Sequence, residues 1–284
     1  MIALLQQRLA SYRCTDARGE EQALKEILQE LVLYGLWRAD FFSIAAFQGG
    51  TSLRILHDLP RFSEDLDFIL KVPDPDFAWP TYFGALEEVL AEFGVEAELL
   101  DRGRADRAVR QAMLKNNSIG HQLNLGFVDA RDGRKLKVKL EIDSNPPPGS
   151  DFDYRYLDFP LDFEICCQDL PSNFSLKIHA LLCRPYVKGR DWFDLAWYVR
   201  QSVRPNLPLL SAALQQYGPW QGQGVEVDAA WLEIALKEVI DRIDWPQAAA
   251  DVEPFLSQPE QRSLSLWSAR FFHDKVERLC RAGE

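Results

Sequence analysis

The stretch FQGGTSLRILHDLPRFSEDLDFIL, residues 47–70, decides the fold of the first half of the chain. Two glycines and two hydroxyl residues precede a short helical pattern, and Asp65 and Asp67 then alternate with apolar residues. Side chains alternate across a strand, so both carboxylates lie on one face while Leu66 and Phe68 lie on the other. The stretch therefore predicts a turn, a helix and a strand that carries two acids on its polar side.

The acid pair indicates a metal site. Two carboxylates on alternate strand positions are about 7 Å apart and repel each other, and a cation relieves that repulsion. Mg²⁺ is commonly held by one or two carboxylates together with phosphate oxygens and water. Taken alone, an Asp-x-Asp pattern is more often a pair of solvated strand residues, so its context decides between the two interpretations.

A second acidic strand supplies a candidate for a third carboxylate. In KVKLEID, residues 137–143, charged and apolar residues alternate, which places Glu141 and Asp143 on one polar face. Glu141 is the preferred third metal ligand because apolar residues flank it, and Asp143 is the alternative. The predicted metal ligands are thus Asp65, Asp67 and Glu141.

The residues before the first acidic strand predict a phosphate cradle. The backbone amides at the start of a helix attract phosphate, and glycines let the backbone approach it closely. Arg61 and Ser63 lie between this turn and the acids. The predicted nucleotide-binding residues of this stretch are Gly49, Gly50, Thr51, Ser52, Arg61 and Ser63. A phosphate cradle beside paired carboxylates is what nucleotidyl transfer requires.

Composition and length describe an ordinary globular protein with two parts. The chain has 284 residues, 47% of them hydrophobic and 26% charged, which is enough to build a core. We predict a mixed α/β catalytic domain over residues 1–165 and a helical domain over residues 166–284. The five cysteines contain no Cys-x-x-Cys pair, so neither a disulfide framework nor a zinc site is indicated.

The net charge of −11 argues against a protein that grips nucleic acid over its whole surface. Any such binding must be local. The basic clusters that could provide it are Arg102, Arg104, Arg107 and Arg110; Arg131, Arg134, Lys135, Lys137 and Lys139; and Arg184, Lys188 and Arg190. No apolar run is long enough for a membrane span, and we expect a cytoplasmic protein with no membrane partner.

Apolar spacing predicts several elements of the first half. Apolar residues recur at helical intervals from Glu20 to Ala39, which indicates an amphipathic helix. SIAAFQ, residues 43–48, predicts a short buried strand, and another helix is predicted from Tyr82 to Phe93.

A hairpin and a run of helices are predicted for the rest of the chain. Residues 121–129 and 135–143 read as two strands, and the Asp132–Gly133 pair between them is a strong turn signal. Beyond Pro171 the periodicity predicts helices near Leu176–Arg184, Trp192–Arg200, Leu207–Tyr217, Trp231–Ile243 and Leu264–Leu279.

Two separate motifs resemble one protein family. The pattern GGTSL…RFSEDLDF, and LKIHALLCRPYVKGRDWFDLAWYV from Leu176 to Val199, are similar to the AbiEii/AbiGii toxins of the nucleotidyltransferase superfamily. These are toxins of bacterial abortive-infection, phage-defence and toxin–antitoxin systems. The resemblance covers the chain from about Gln48 to Val199. It implies an α+β fold, in which a nucleotidyltransferase-like mixed sheet with helices is followed by a mostly α-helical C-terminal part.

The resemblance also implies a reaction. The expected enzyme transfers a nucleoside monophosphate from an NTP to the 3′ end of tRNA, uses Mg²⁺ or alternatively Mn²⁺, and is countered by a separately encoded antitoxin. Lys177 is implied to contact the nucleotide and Asp191 to be required for activity. The expected catalytic residues are Asp65, Asp67, Glu141, Lys177 and Asp191. Two alternatives stay open, namely transfer to a protein side chain and an inactive nucleotide-binding regulatory module.

Overall fold

The computed structural model describes residues 1–103, 108–116, 119–128 and 136–281. The chain forms two compact units. Unit 1 comprises Met1–Leu56, Phe62–Pro146 and Asp153–Cys167, and unit 2 comprises His57–Arg61, Pro147–Phe152 and Gln168–Glu284. The catalytic domain over residues 1–165 and the helical domain over residues 166–284 stay predictions, because chain contacts alone do not show what each part does.

A mixed sheet dominates unit 1. Within the described residues it has seven strands in the order β3-β4-β5-β2-β1-β7-β6. Strands β1 and β2 pair antiparallel, whereas β2 with β5 and β1 with β7 pair parallel. The mixed sheet and the helices that follow it confirm the predicted α+β class. The strands are β1 Ala45–Gln48, β2 Asp65–Leu70, β3 Ala97–Asp101, β4 Val109–Asn116, β5 Leu136–Asp143, β6 Phe152–Leu157 and β7 Phe163–Gln168.

Helices fill the rest of both units. The first group is α1 Ile2–Ser11, α2 Ala17–Arg38, α3 Gly49–His57, α4 Pro80–Glu92 and α5 Ile119–Gln122. The second is α6 Leu170–Cys183, α7 Gly189–Arg200, α8 Leu207–Gln216, α9 Ala229–Ile240, α10 Trp245–Val252, α11 Gln258–Ser263 and α12 Ala269–Arg281. Among the described residues, no helix has both the length and the apolar character needed to cross a membrane.

The long helix α2 forms where the apolar periodicity predicts it. The Asp16 side chain caps its start by accepting the Gly19 backbone N–H at 2.7 Å. Leu24, Ile27 and Leu31 are fully or almost fully buried, and the helix packs on α4 and β5. The helix thereby covers one face of the sheet.

The predicted hairpin is wrong in its first strand. The Glu20 carboxylate of α2 accepts the backbone N–H groups of Gly126, Phe127 and Val128 at 2.6–2.9 Å. These amides are therefore unavailable to a strand ladder, and residues 119–122 form the short helix α5. Strand β5 pairs instead with β2 and β4. The Asp132–Gly133 turn and the basic residues Arg104, Arg107, Arg131, Arg134 and Lys135 lie outside the described residues.

Unit 2 is helical, as predicted beyond Pro171. Helix α6 begins earlier than predicted because Asp169 caps it by accepting the Ser172 backbone N–H at 2.8 Å. The aromatic rings of Trp192, Trp245 and Phe272 form its core, with Trp245 and Phe272 stacked at 4.2 Å between centroids. The predicted helix Leu264–Leu279 is interrupted, since Leu264–Leu266 is a 3-10 turn and α12 starts at Ala269. Helices α10 and α11 were not predicted.

Candidate active site

Three carboxylates gather on one face of the sheet. Asp65 and Asp67 are half-buried on β2, and β5 runs parallel beside it with Asp67 opposite Glu141. Directly opposite residues of neighbouring strands point to the same side, so Glu141 shares the face of the acid pair. We call Asp65, Asp67 and Glu141 the carboxylate face.

Glu141 already has two partners. Its Oε1 accepts Gln111 Nε2 at 2.6 Å, and its Oε2 lies 2.8 Å from Lys139 Nζ. The register also bears on the alternative third acid, because Asp143 lies opposite Ile69, beyond the acid pair, whereas Glu141 lies beside Asp67. The pairing favours Glu141 for that role, which stays a prediction.

Lys139 is the cation that accompanies the carboxylate face. It lies opposite Asp65 on the neighbouring strand. Burial lowers the pKa of Lys139, but its hydrogen bond to Glu141 and the charges of Glu141, Asp65 and Asp67 outweigh burial and raise that pKa above the ordinary value. The three carboxylates therefore hold Lys139 in its charged form.

The carboxylate face suits a metal that arrives with its substrate. In the parts of the chain that the structure describes, no three His, Cys, Asp or Glu side chains are arranged to form a complete metal centre. Mg²⁺ usually binds through one or two carboxylates plus substrate phosphates, not in a cage made only of protein. Asp65 and Asp67 fit that requirement, and the charges of all three acids raise the pKa of Lys139, as expected where a positive charge is stabilised.

The glycine turn is shaped by the acid pair. Gly49 directly follows β1 with a φ of +77°, in the left-handed region that favours glycine. A Cβ atom at this position would lie 2.5 Å from Asp67 Oδ2. Any other residue would therefore displace the carboxylate or distort the turn, so the first glycine of the motif is required by both conformation and space.

The two hydroxyls after the glycines are occupied within the fold. Thr51 Oγ1 donates to the Asp65 backbone oxygen, and Ser52 Oγ donates to the Gly49 backbone oxygen at 2.9 Å. Both residues are buried, as is Gly50. Their hydroxyl groups thus tie the turn to the acidic strand, and a phosphate contact here falls to the backbone amides that start α3.

Ser63, the remaining predicted nucleotide contact of unit 1, lies two residues before Asp65. Its side chain is half-buried, and its backbone oxygen accepts Gln29 Nε2 at 3.2 Å. The structure gives it a place beside the start of β2, and its contact with a nucleotide stays a prediction.

Unit 2 contains a second charged cluster, formed by Arg61, Lys177, Arg184, Asp191 and Asp194. Lys177 Nζ lies 2.9 Å from both Asp191 Oδ1 and Asp194 Oδ2. Arg61 donates to both Asp194 oxygens at 2.6 Å, and Arg184 pairs with the second Asp191 oxygen. We call this cluster the ion network.

The ion network is largely buried, and burial and the neighbouring charges together determine the pKa values of its side chains. The side chains of Arg61 and Asp194 are only 2% and 0% exposed. Burial alone would raise the pKa of Asp191, but the charges of Lys177, Arg184 and Lys188 hold it below its ordinary value. Burial likewise lowers the pKa of Lys177, which Asp191 and Asp194 raise again to above its ordinary value.

The Arg61 side chain is buried and forms an ion pair inside the protein. The sequence predicts that it contacts the nucleotide, but two of its guanidinium nitrogens are used in a buried pair with Asp194. This geometry favours a positioning role, in which Arg61 fixes Asp194 and Asp194 helps to fix Lys177. Asp194 was not among the predicted site residues. Its spacing from Asp191 was visible in the sequence, whereas its partner 133 residues away was not.

The fold of this chain is similar to that of solved structures. The solved structure of JHP933 from Helicobacter pylori has a TM-score of 0.51 and 18% identity to this chain, and the match covers 91% of this chain and 94% of that one. A second Helicobacter pylori chain, provisionally described as a nucleotidyltransferase, gives 0.49 and 17%, with 89% and 94% covered. The fold is therefore shared with JHP933.

The family match makes the assignment specific. Residues 31–272 match the family described as nucleotidyl transferase AbiEii toxin, type IV toxin–antitoxin system. The chain belongs to this family, and it is a nucleotidyltransferase enzyme with the role of a toxin. Membership implies a nucleotide substrate and a separate antitoxin. A comparison with curated proteins found no match.

Proposed function

We propose that this enzyme transfers a nucleoside monophosphate from an NTP to the 3′ end of tRNA in the cytoplasm, releases pyrophosphate and thereby blocks translation. Mg²⁺ is the proposed metal, with Mn²⁺ as the alternative, and a separately encoded antitoxin counters the toxin. The observation that carries the proposal is the carboxylate face, where Asp65, Asp67 and Glu141 share one side of the sheet beside a glycine turn.

Asp65 and Asp67 would hold the metal together with oxygens of the triphosphate. The metal would supply charge neutralisation for the phosphates during transfer. Glu141 orients the acceptor hydroxyl by accepting a hydrogen bond from it. In the step itself, the bond from that hydroxyl oxygen to the α-phosphorus forms, the bond from the α-phosphorus to the pyrophosphate oxygen breaks, and the hydroxyl proton passes to the Glu141 carboxylate.

The remaining predicted residues position the nucleotide. The backbone amides at the start of α3, held by the Gly49 turn, bind phosphate oxygens. Lys177 has three ammonium protons, and its contacts with Asp191 and Asp194 use two of them. The third is directed to a substrate oxygen. Asp191 is required because it holds Lys177, so its role is positioning.

The decisive experiment follows label from NTP to acceptor. Each NTP, labelled at the α-phosphate, is incubated with Mg²⁺, total tRNA and either the wild-type protein or the variant Asp65→Asn plus Asp67→Asn. The matched control is Asp153→Asn plus Asp162→Asn, which removes two exposed carboxylates of the same unit. We expect label in tRNA with the wild type and the control, and none with the first variant.

Each other outcome selects an alternative. Label on protein in place of RNA would favour transfer to a protein side chain. No label at all, with a folded protein and active substrates, would favour the nucleotide-binding regulatory module. Equal labelling by all three proteins would show that the carboxylate face does not carry the reaction.

A further inference from the structure

Unit 2 contains a cavity of about 310 Å³ that adjoins the ion network through Arg184 and Asp191. It lies between the end of α6, the connection of residues 184–188, the first turn of α7 and the end of α9. We propose that this cavity binds the phosphate of a nucleotide. The proposal rests on the nucleotidyltransferase function and adds residues to substrate binding. Its polar lining comprises Arg184, Tyr186, Lys188, Asp191 and Arg242.

The charge of the cavity is positive. Three cationic side chains line it, and Asp191 is the one carboxylate among the described lining residues. That carboxylate is already shared between Lys177 and Arg184. Among the described residues, the Arg242 guanidinium has one long ion pair, at 4.0 Å from Glu238, and the side chain is 79% exposed. In a chain of net charge −11, such a local excess of cations is a specific attraction for an anion.

Lys188 is the lining residue whose positive charge is least compensated by the protein. It is half-buried, and within the described chain its side chain makes no hydrogen bond or ion pair, whereas its backbone oxygen accepts the Asp191 N–H at 3.0 Å. It stands directly before α7, a helix of 12 residues whose first turn also lines the cavity. The positive end of the helix dipole adds to the attraction for phosphate.

Burial and the neighbouring cations Arg190, Lys177 and Arg184 lower the pKa of Lys188, against the opposing charge of Asp191. A bound phosphate would relieve both effects because it supplies a negative charge and hydrogen-bond acceptors. The electrostatics of Lys188 therefore agree with the geometry of the cavity.

The rest of the cavity suits the sugar and base of one nucleotide. The Tyr186 ring is 65% exposed, and the Arg184 guanidinium carbon lies 5.3 Å from its centroid. Leu181, Trp192 and Ile243 provide apolar lining. The volume is at the lower end for small-molecule sites, which is sufficient for a mononucleotide. That nucleotide could come from the incoming NTP or from the terminal residue of the acceptor strand.

The experiment separates these two sources and is independent of turnover. Binding of ATP, GTP, CTP, UTP and the trinucleotide CpCpA is measured by calorimetry without divalent metal, in the Asp65→Asn plus Asp67→Asn background. Adding Lys188→Met and Arg242→Met should weaken binding of an NTP or of the trinucleotide at least tenfold, and the affected probe identifies the source. Adding Arg262→Met and Arg278→Met, which removes two exposed charges elsewhere in unit 2, should leave binding unchanged.

Two results would overturn the proposal. One is equal binding by both variants, and the other is the absence of binding of every probe at millimolar concentration to the parent protein. Tyr186→Ala guards against misfolding as an explanation, since this exposed side chain can be removed without loss of core packing, and it should also weaken binding of the affected probe. Because the background lacks both acids and metal, a failure of the proposed metal chemistry would not affect these measurements.

Discussion

The carboxylate face and the ion network use the same types of charge in opposite ways. The carboxylate face has three acids and one lysine, all half-buried, and so retains negative charge. The ion network has two buried acids matched by three cations, each acid bound by two of them. The first region is the one that we propose to bind a metal ion, whereas the ion pairs of the second fix its own charged side chains in place.

This difference in burial indicates which of the two clusters contributes to ligand binding and which contributes to stability. A half-exposed, unbalanced cluster can gain a ligand at little structural cost. A buried cluster in which every acid is paired has lost its hydration, so removing one cation leaves a carboxylate that the remaining cation compensates only in part. Variants of the ion network should therefore affect folding, and variants of the carboxylate face should affect chemistry.

The largest expected effect comes from breaking the ion network. Arg61→Met should lower the free energy of unfolding by about 3–5 kcal/mol, because Asp194 would lose its bidentate partner inside the protein. Urea denaturation followed by tryptophan fluorescence measures the loss. The exposed Arg262→Met serves as control, with a change within about 0.5 kcal/mol. The paired variant Arg61→Met plus Asp194→Leu should recover much of the loss. If Arg61→Met were as stable as the wild type, the ion network would not have the stabilising role that distinguishes it from the carboxylate face.

Removing one acid of the carboxylate face should affect activity without affecting folding. We expect Asp67→Asn to lower the rate of nucleotidyl transfer by about 100-fold or more, since electrostatic groups at a transferring phosphate contribute on this order. The metal-free melting temperature should stay the same or rise, because one like charge is removed. Label transfer and thermal melting are measured side by side with Asp153→Asn as control. A large fall in melting temperature would show that Asp67 contributes mainly to the stability of the fold.

Replacing the glycine of the turn by alanine should destabilise the protein, whereas the same change at a glycine inside a helix should not. Gly49→Ala should lower stability by about 1–2 kcal/mol, because φ is +77° and the added Cβ meets Asp67. Gly84→Ala on α4 is the matched control, since its Cβ meets nothing within 4 Å, and it should raise stability by about 0.5–1 kcal/mol. Opposite signs in chemical denaturation are expected; equal signs would show that the turn can relax.

Removing the positive charge of Lys139 tests whether the negative charge of the carboxylate face controls metal binding. Lys139→Met should lower the stability of the metal-free protein by about 1 kcal/mol or less, because its pair with Glu141 is partly exposed. It should also raise the affinity for Mg²⁺ or Mn²⁺ several-fold, since a competing cation is gone. Melting temperatures across a metal titration report both effects. Lys137→Met, an exposed lysine on the same strand, should change neither, and unaltered metal affinity in Lys139→Met would contradict the competition.

The smallest effect is a difference in pH dependence. The pKa of Asp191 in the folded protein lies below its ordinary value near 3.8, so its charge stabilises the fold above about pH 4 and that stabilisation is lost on acidification. Asp191→Asn lacks this contribution. Between pH 5 and pH 3 its stability should change less than that of the wild type, by at most about 1.4 kcal/mol per pH unit. Identical slopes would mean that Asp191 is not held charged.

Local pattern predicted part of the fold. The strands around Ala45–Gln48 and Asp65–Leu70, and helix α2, follow directly from alternation or helical spacing of apolar residues. Strand β6 was missed although aromatic and charged residues alternate in it, and all of its residues are exposed or half-buried. The false strand at residues 121–129 shows the reverse case, where a suitable pattern loses to a long-range contact with Glu20.

The sequence by itself determined which residues share a face of a strand or helix, because backbone geometry repeats over two or about four residues. It thus paired Asp65 with Asp67 and located the glycine turn. Only the tertiary structure decided that Glu141 lies beside Asp67 and that Arg61 is buried against Asp194. Strand order and long-range ion pairs depend on how distant segments meet, and local periodicity carries no information about that.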